Sequence, residues 1–563
     1  MGFQLSPGVN VSEIDLTTVV PSVLTTAGAF AGTFRWGPAN QVVLVDSEIT
    51  LSKTFGTPDS NSAVSFFTAA NFLAYGNNLS VVRAVGTTSY NADANTSQTN
   101  IQIANSDTFQ YTLLNTNNNN LYGPFMSRYP GALGNSLSIT VVDTGSNARS
   151  DIFSTVPGTS DYASRVSGAN DEIHIAVIDA GGLFTGTKNT VLETFPFVSK
   201  ASDAINLNNG STNYYKQVVF NQSKYIYAVD PPDYANTNST WGSTAAGTSF
   251  AKINSNYATY TLSGGTDSVP TDGNISSAYS TFANKETYDI SLLLTADASS
   301  TVQQFVIDNV ATVRKDCVAF ISPPSSAVIN NAGQETSSIQ SWLNTLGRSS
   351  SYVVSDSGWK YQFDVYNNVY RWIPLNGDIA GLCVATDTAQ DPWYSPAGFN
   401  RGAIKNVIKL AWNPSKTYRD TLYAAGVNPV VSFPGQGVVL FGDKTLQSKP
   451  SAFDRINVRR LFIVLEKAIS KAAQYSLFEL NDEFTRAQFV ALVTPFLRDV
   501  QGRRGITDFK VVCDTTNNTA QVIDSNQFVG DIYIKPERSI NYIQLNFVAV
   551  GTGVDFNTIV DAA

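Results

Sequence analysis

The strongest constraint on this 563-residue chain is a break in its own pattern. Strand and helix signals alternate over residues 27–85, stop, and resume from Tyr288. Between them lies a block, 87–262, rich in Asn, Ser, Thr, Gly and Tyr. An α/β sheet needs its strands in one layer with helices packed over it, and a polar block of that size has no place inside such a layer. Residues 87–262 therefore read as β-rich, surface-facing insertions between two α/β pieces.

The first piece reads as a strand over Ala27–Trp36, a helix over Ala63–Tyr75 and a strand over Leu79–Val85. Phe66, Phe67, Ala70, Leu73 and Ala74 share one side of that helix, and Gly76 suits its C′ position. In the second piece Asp289–Leu294 and Cys317–Ile321 read as strands. Ser300 with Gln303 makes a capping box for a helix carrying Val302, Phe305, Val306, Val310 and Val313, and Ile339–Leu346 is helical. This alternation predicts a parallel or mostly parallel sheet. Within the polar block, Ser136–Val142 and Glu172–Ile178 alternate like half-buried strands, and Asn117–Asn120 reads as a turn. Toward the end, Asp454–Leu480 and Asp482–Val500 are helical, with Pro495 expected to bend or interrupt the second. Phe509–Cys513, Phe528–Ile534 and Ile540–Val550 are closing strands.

The inventory leaves little room for chemistry. A formal charge of −9 argues against a nucleic-acid or anionic-membrane partner for the whole protein. No apolar run approaches the roughly 20 residues that span a bilayer, and the N-terminus lacks the pattern of a secretory signal. Cys317, Cys383 and Cys513 give neither a disulfide framework nor a metal knuckle, and suit a reducing compartment. His174 is the only histidine, so any Ser–His–Asp or Cys–His site must use it. It falls in an alternating run, where a sheet residue is the simpler explanation. Gly181–Lys188 resembles a phosphate loop, but Thr187 displaces Lys188 by one place, so a glycine turn is expected. The Gly- and Pro-rich stretch Trp393–Leu446 has the look of an active site without a nucleophile, base or metal cluster. Its glycines and prolines suit a shaped junction between the α/β core and the C-terminal domain. No cofactor or metal is expected.

Basic residues concentrate late in the chain, at Arg455, Arg459, Arg460, Lys467, Lys471, Arg486, Arg498, Arg503 and Arg504. They fit either a solvated helix face with ordinary ion pairs or contact with an acidic protein partner.

Several segments together resemble the tail sheath proteins of contractile-tailed bacteriophages, in particular the larger sheaths with protruding outer domains. Pro7-Gly8-Val9 through Ile14 is similar to their N-terminal arm, and the segment ending in Trp36-Gly37-Pro38 to their first core strand. Tyr129–Ser136 resembles another sheath motif, while Ser395–Gly402, Val427–Leu446 and Arg459–Glu479 are similar to the family's C-terminal part. The resemblance implies a structural subunit and no enzyme. Its fold would be an α/β core like that of subtilisin without the catalytic triad, with 26–86 its first part and 263–400 the rest, outer β-domains from 87–262, and an α+β inner domain over 401–563.

Such a subunit would polymerise helically around a tail tube and contract by rearrangement, driving the tube through the host envelope. The implied partners are copies of itself, the tube protein, and the baseplate and neck or tail terminator proteins. They would meet in a virion assembled in the host bacterial cytoplasm, with no nucleic-acid or membrane contact by this subunit. The arm 1–25 would pack with the C-terminal domain. Val9, Val11, Glu13 and Ile14, with Ile543, Leu545 and Phe547, are expected to exchange strands between subunits by β-augmentation. Arg486, Arg498, Arg503 and Arg504 are expected at the tube. The sheath of a contractile bacteriocin or secretion apparatus is the nearest alternative. From other classes, a degenerate subtilisin-like hydrolase would depend on His174, and a carbohydrate-binding surface protein would use the Tyr- and Asn-rich insertions.

Overall fold

The computed structural model describes residues 20, 23–95, 100–114, 121–232, 240–253 and 257–544. Seven strands form the central sheet, in the order Val427–Asn428, Val353–Asp356, Val318–Ile321, Leu292–Leu294, Gly28–Thr33, Leu79–Ala84 and Val42–Val45. Neighbours run parallel except for the last pair. Gly28 is in register with Leu292 on one side and Leu79 on the other. The two sequence pieces thus join in the middle of the sheet, and the polar block leaves and returns around that seam.

Both faces of the sheet are covered, which is why its strands read as unbroken apolar runs. Phe30, Val81, Leu294 and Phe320 face the layer holding helices Ala63–Leu73 and Asn376–Ala389. Ala29, Val82, Leu293, Ala319 and Val353 face the opposite layer, with helices Asp272–Ser280 and Glu335–Leu346. Helices 63–73 and 376–389 approach closely: a Cβ on Gly377 would lie 2.4 Å from the Thr68 carbonyl oxygen, and one on Gly381 2.3 Å from the Tyr75 ring.

Local details differ from expectation for identifiable reasons. The helix expected over Ala63–Tyr75 ends at Leu73 with Ala74 still right-handed, so Gly76 is no left-handed cap. A Cβ at Gly76 would sit 2.7 Å from Val384, and that close approach accounts for the glycine. The cap of the 300s helix is Ser299, which accepts from the Val302 amide. Gln303 is buried instead, donating to the Ser322 carbonyl and accepting from the Trp342 indole. A π-turn at Val306–Ala311 adds a residue to that helix's phase. It turns Val313 out to 65 % exposure and Arg314 inward. The core sheet also reaches past residue 400, where the α/β core was expected to end, because Val427–Asn428 returns to pair with Val353–Asp356.

The 87–262 block builds a four-stranded antiparallel sheet in the order Thr190–Ser199, Glu172–Asp179, Leu137–Asp143, Tyr257–Thr261. The turn expected at Asn117–Asn120 lies outside the described residues. Arg83, on a core strand, ties the block to the core: its buried guanidinium donates to the carbonyls of Phe34, Gly37 and Pro130.

The C-terminal unit has helices Ile456–Ala473 and Glu483–Gly502 and an antiparallel hairpin, Ile506–Val512 with Asp531–Pro536. Its core joins Leu461, Leu465, Phe489, Val493, Leu497 and Ile506. Pro495 lies inside the second helix without ending it. The expected final strand is not formed over its described part, 540–544, and the remainder of Ile540–Val550 lies outside the described residues.

Candidate functional site

The places where chemistry would be sought are closed. His174 is buried in the strand Glu172–Asp179. The Phe197 amide donates to its Nδ1 at 3.0 Å, which leaves Nε2 to donate to the Thr155 carbonyl at 2.9 Å. Burial lowers its pKa and keeps it neutral. Neither ring nitrogen is left for a nucleophile.

The Gly181–Lys188 turn is filled by its own chain. The Asp179 carboxylate accepts from the amides of Leu183, Phe184 and Thr185 and from the hydroxyls of Ser136 and Thr185. Burial would raise this carboxyl, yet those hydrogen bonds hold it below its ordinary value. An internal anion therefore occupies the nest of amides that a phosphate would need.

In open α/β sheets ligands bind beyond the C-terminal ends of the strands. Here that crevice is plugged by the start of helix 376–389. Asn376 exchanges two hydrogen bonds with the backbone of Ala296 and donates a third to Ser322, whose hydroxyl donates to Asp356. Lys360 and Asp378 pair beside it at 2.9 Å, and all these side chains are buried. Cys317, Cys383 and Cys513 are free and buried. Among the described residues no group of His, Cys, Asp and Glu is arranged to hold a metal, and no helix is long and apolar enough to cross a membrane.

Trp393–Leu446 has its feet in two cores. Trp393 packs in the C-terminal core with Leu461 and Leu465, and its indole donates to the Arg503 carbonyl. Val430 and Leu440, from the hairpin Val430–Phe433 and Gly437–Leu440, pack in the α/β core. Gly398 and Gly402 stitch the two together. The Gly398 amide donates to Leu440 and the Leu440 amide to Gly402, and a Cβ on Gly402 would meet the Gly398 carbonyl oxygen at 2.8 Å. A groove of about 730 Å³ opens beside this junction, walled by Trp393, Tyr394, Arg401, Arg419 and Phe441 and by the chain's last described stretch.

That last stretch is moored at one point. Asp443 accepts from the hydroxyls of Ser539 and Tyr423 and from the Asn541 amide, and Asn541 also donates to Tyr423 at 2.6 Å. At and beyond the mooring, Ile540, Tyr542 and Ile543 stand about four-fifths exposed, at 81 %, 84 % and 78 %. Of the residues expected to exchange strands, Ile543 is thus placed in the open. Val9, Val11, Glu13, Ile14, Leu545 and Phe547 lie outside the described residues.

The arginines expected at the tube do not form one surface. Arg486 is buried, only 6 % exposed, and donates to the Asn481 carbonyl and side chain. It lies in phase with Phe489, Val493, Leu497 and Val500 on the inward face of its helix. Arg503 is tied to Asp391 and Asp499. Arg498 and Arg504 are exposed and make no ion pair among the described residues. The preceding helix is likewise bound inward: Arg460 pairs with Asp387 at 2.6 Å, Lys467 reaches Asp289, and Arg459 lies between the rings of Tyr352 and Phe453.

Comparison with known proteins agrees along the whole chain. Three family models match: the tail sheath protein Gp18 domain III N-terminal region over 25–84, the phage tail sheath protein central domain over 270–446, and the phage tail sheath C-terminal domain over 448–549. The tail sheath protein of Vibrio phage KVP40 is 35 % identical over 678 aligned residues, covering 99 % of both chains. That of Enterobacteria phage T4 is 35 % identical over 666, again covering 99 % of both. Among solved structures, the crystallised sheath tail protein of Listeria innocua shares the fold with a TM-score of 0.53 at 11 % identity, covering 92 % of this chain and 97 % of its own. The contracted PVC sheath of an extracellular contractile injection system does so with a TM-score of 0.51 at 12 % identity, covering 99 % and 100 %.

Proposed function

Because the chain belongs to the phage tail sheath protein family and is a subunit of a contractile tail sheath, we propose that neighbouring copies exchange terminal strands and stay joined while the sheath contracts around its tube. The observation that carries this is the exposure of Ile540, Tyr542 and Ile543, apolar side chains about four-fifths open to water on a stretch that forms no strand among the described residues. Nearby, the pair 506–512/531–536 forms a sheet of two strands among the described residues, a size that is marginal alone, with outer edges that another strand could extend. Ile543, Leu545 and Phe547 of one copy, and Val9, Val11, Glu13 and Ile14 of another, extend such edges, with main-chain hydrogen bonds supplying affinity.

Contraction on this view is a change between two packings of one lattice, and the difference between them supplies the free energy without a nucleotide. The buried Arg460–Asp387 pair and the Lys467–Asp289 and Arg503–Asp391 pairs favour subunits that turn as rigid bodies. The subunit acts structurally and not as an enzyme. Its core is of the subtilisin-like kind, a reading favoured by the parallel strand order and by the engagement of His174 away from that sheet. Residues 87–262 project outward and the C-terminal domain faces inward. Arg498, exposed on helix 483–502, is the tube contact. Baseplate and neck or tail terminator proteins complete the partners, in a virion built in the host cytoplasm.

Negative-stain microscopy of the purified protein tests the assembly. Tubes with a helical lattice are expected, and monodisperse monomers at high concentration would overturn it. Arg498→Glu should weaken co-assembly with tube protein; unchanged co-assembly removes Arg498 from that role.

A further inference from the structure

The turn joining the two C-terminal helices is apolar and acidic at once. Tyr475, Leu477, Phe478, Leu480 and Phe484 are each more than three-fifths exposed there, and the Phe478 backbone is left-handed, at φ 69°. An apolar cluster of this kind on a soluble protein marks a contact surface. Glu479 and Glu483 beside it make no ion pair among the described residues, and Asp482 is engaged in capping Thr485. The nearest cation in sequence, Arg486, is buried.

The groove at Trp393–Leu446 has the opposite character. Trp393, Tyr394 and Phe441 wall it, and its carboxylates are engaged: Asp420 with Lys416, Asp443 with Arg455, and Glu537 with the Thr507 hydroxyl. Arg504 and Arg538 line it exposed and without an ion pair among the described residues. Asn457, buried in its wall, leaves Oδ1 without a hydrogen-bond partner.

Helix Glu483–Gly502 runs from one feature to the other. Its 20 residues, at about 1.5 Å each, hold them about 30 Å apart in one copy. The turn therefore cannot fill its own subunit's groove, whereas it can fill another's. We propose that the 475–484 turn of one subunit seats in the groove of a second copy. Phe478 and Leu480 meet the aromatic wall, and Glu479 and Glu483 face Arg504 and Arg538. The contact is head-to-tail, so it builds rings or helical filaments and does not close on two subunits. It rests on the helical self-assembly proposed above and is independent of the exchanged strands.

Asn400 lines the groove and is exposed, so mixed sheaths of Phe478→Cys subunits and Asn400→Cys subunits test it, since the native cysteines are buried. Oxidation should give dimers that contain one of each, absent from sheaths of either variant alone. Sheaths that assemble normally yet give no mixed dimers, or that cross-link position 478 to tube protein instead, would overturn the inference while leaving the assembly itself intact. Glu479→Arg with Glu483→Arg should cut the assembled fraction about tenfold, and Arg504→Glu with Arg538→Glu should restore it when the two double variants are combined. Assembly at the unaltered level, or no restoration, also overturns it. Circular dichroism confirms that each variant is folded.

Discussion

The Ser539 hydroxyl donates to the Asp443 carboxylate, joining two residues 96 apart in sequence and fixing where the chain's last described stretch leaves the body. Asn541 and Tyr423 converge on the same carboxylate. Past that knot Tyr542 and Ile543 stand exposed, so on the proposed exchange the knot sets the point from which a neighbour is reached.

Asp443→Ala should therefore release the stretch without unfolding the subunit. Amide exchange over 539–544 is expected to rise about tenfold or more, while global stability falls by about 1–3 kcal/mol for the hydrogen bonds lost. Exchange unchanged over 539–544 would mean that Asp443 does not hold it.

Arg460→Ala removes one partner of a buried pair whose side chains are 4 % and 3 % exposed. Leaving Asp387 uncompensated should cost about 3–5 kcal/mol, read by denaturant unfolding. Replacing both partners with Leu should recover most of the loss, because no lone charge then remains buried.

His174 gives the insertion a response to acid. Its pKa is lowered from 6.5 by burial, so the unfolded chain takes up the proton more readily than the folded one. Stability is full above the unfolded value and declines as pH falls below it. His174→Gln should destabilise the protein at pH 7.5 by about 1–3 kcal/mol through lost hydrogen bonds. The gap between variant and parent should narrow toward pH 5 in thermal melts; a constant gap would show that the ring does not titrate against folding.

Removing residues 1–15 should abolish tubes in negative-stain images while circular dichroism stays that of a folded subunit. Tubes of normal length after this deletion would refute exchange through the N-terminal arm.

Much of the core was legible in the sequence because its signals are periodic. The strands around Leu292 and Val318 are apolar throughout, as strands covered on both faces must be, and their alternation with helices gives the parallel order. Val427–Asn428 escaped notice because two residues carry no period. The π-turn at 306–311 has no compositional mark, and it alone reverses Val313. The arginines of the C-terminal helices misled through their number. Counted as charges they suggest a surface, whereas their phase places Arg486 in line with Phe489 and Val493, facing inward. The groove could not be read at all, since Trp393, Arg419, Asp443, Arg504 and Tyr542 are adjacent only after folding.

Trp393 and Leu440 have a mechanical consequence. One segment of main chain is embedded at one end in the C-terminal core and at the other in the α/β core, so tension applied to one half reaches the other along covalent bonds. Side-chain packing between domains can shear, whereas a doubly anchored strap yields only if one core is torn open. A material that must shorten under its own stored stress and remain whole needs such a strap in every repeating unit.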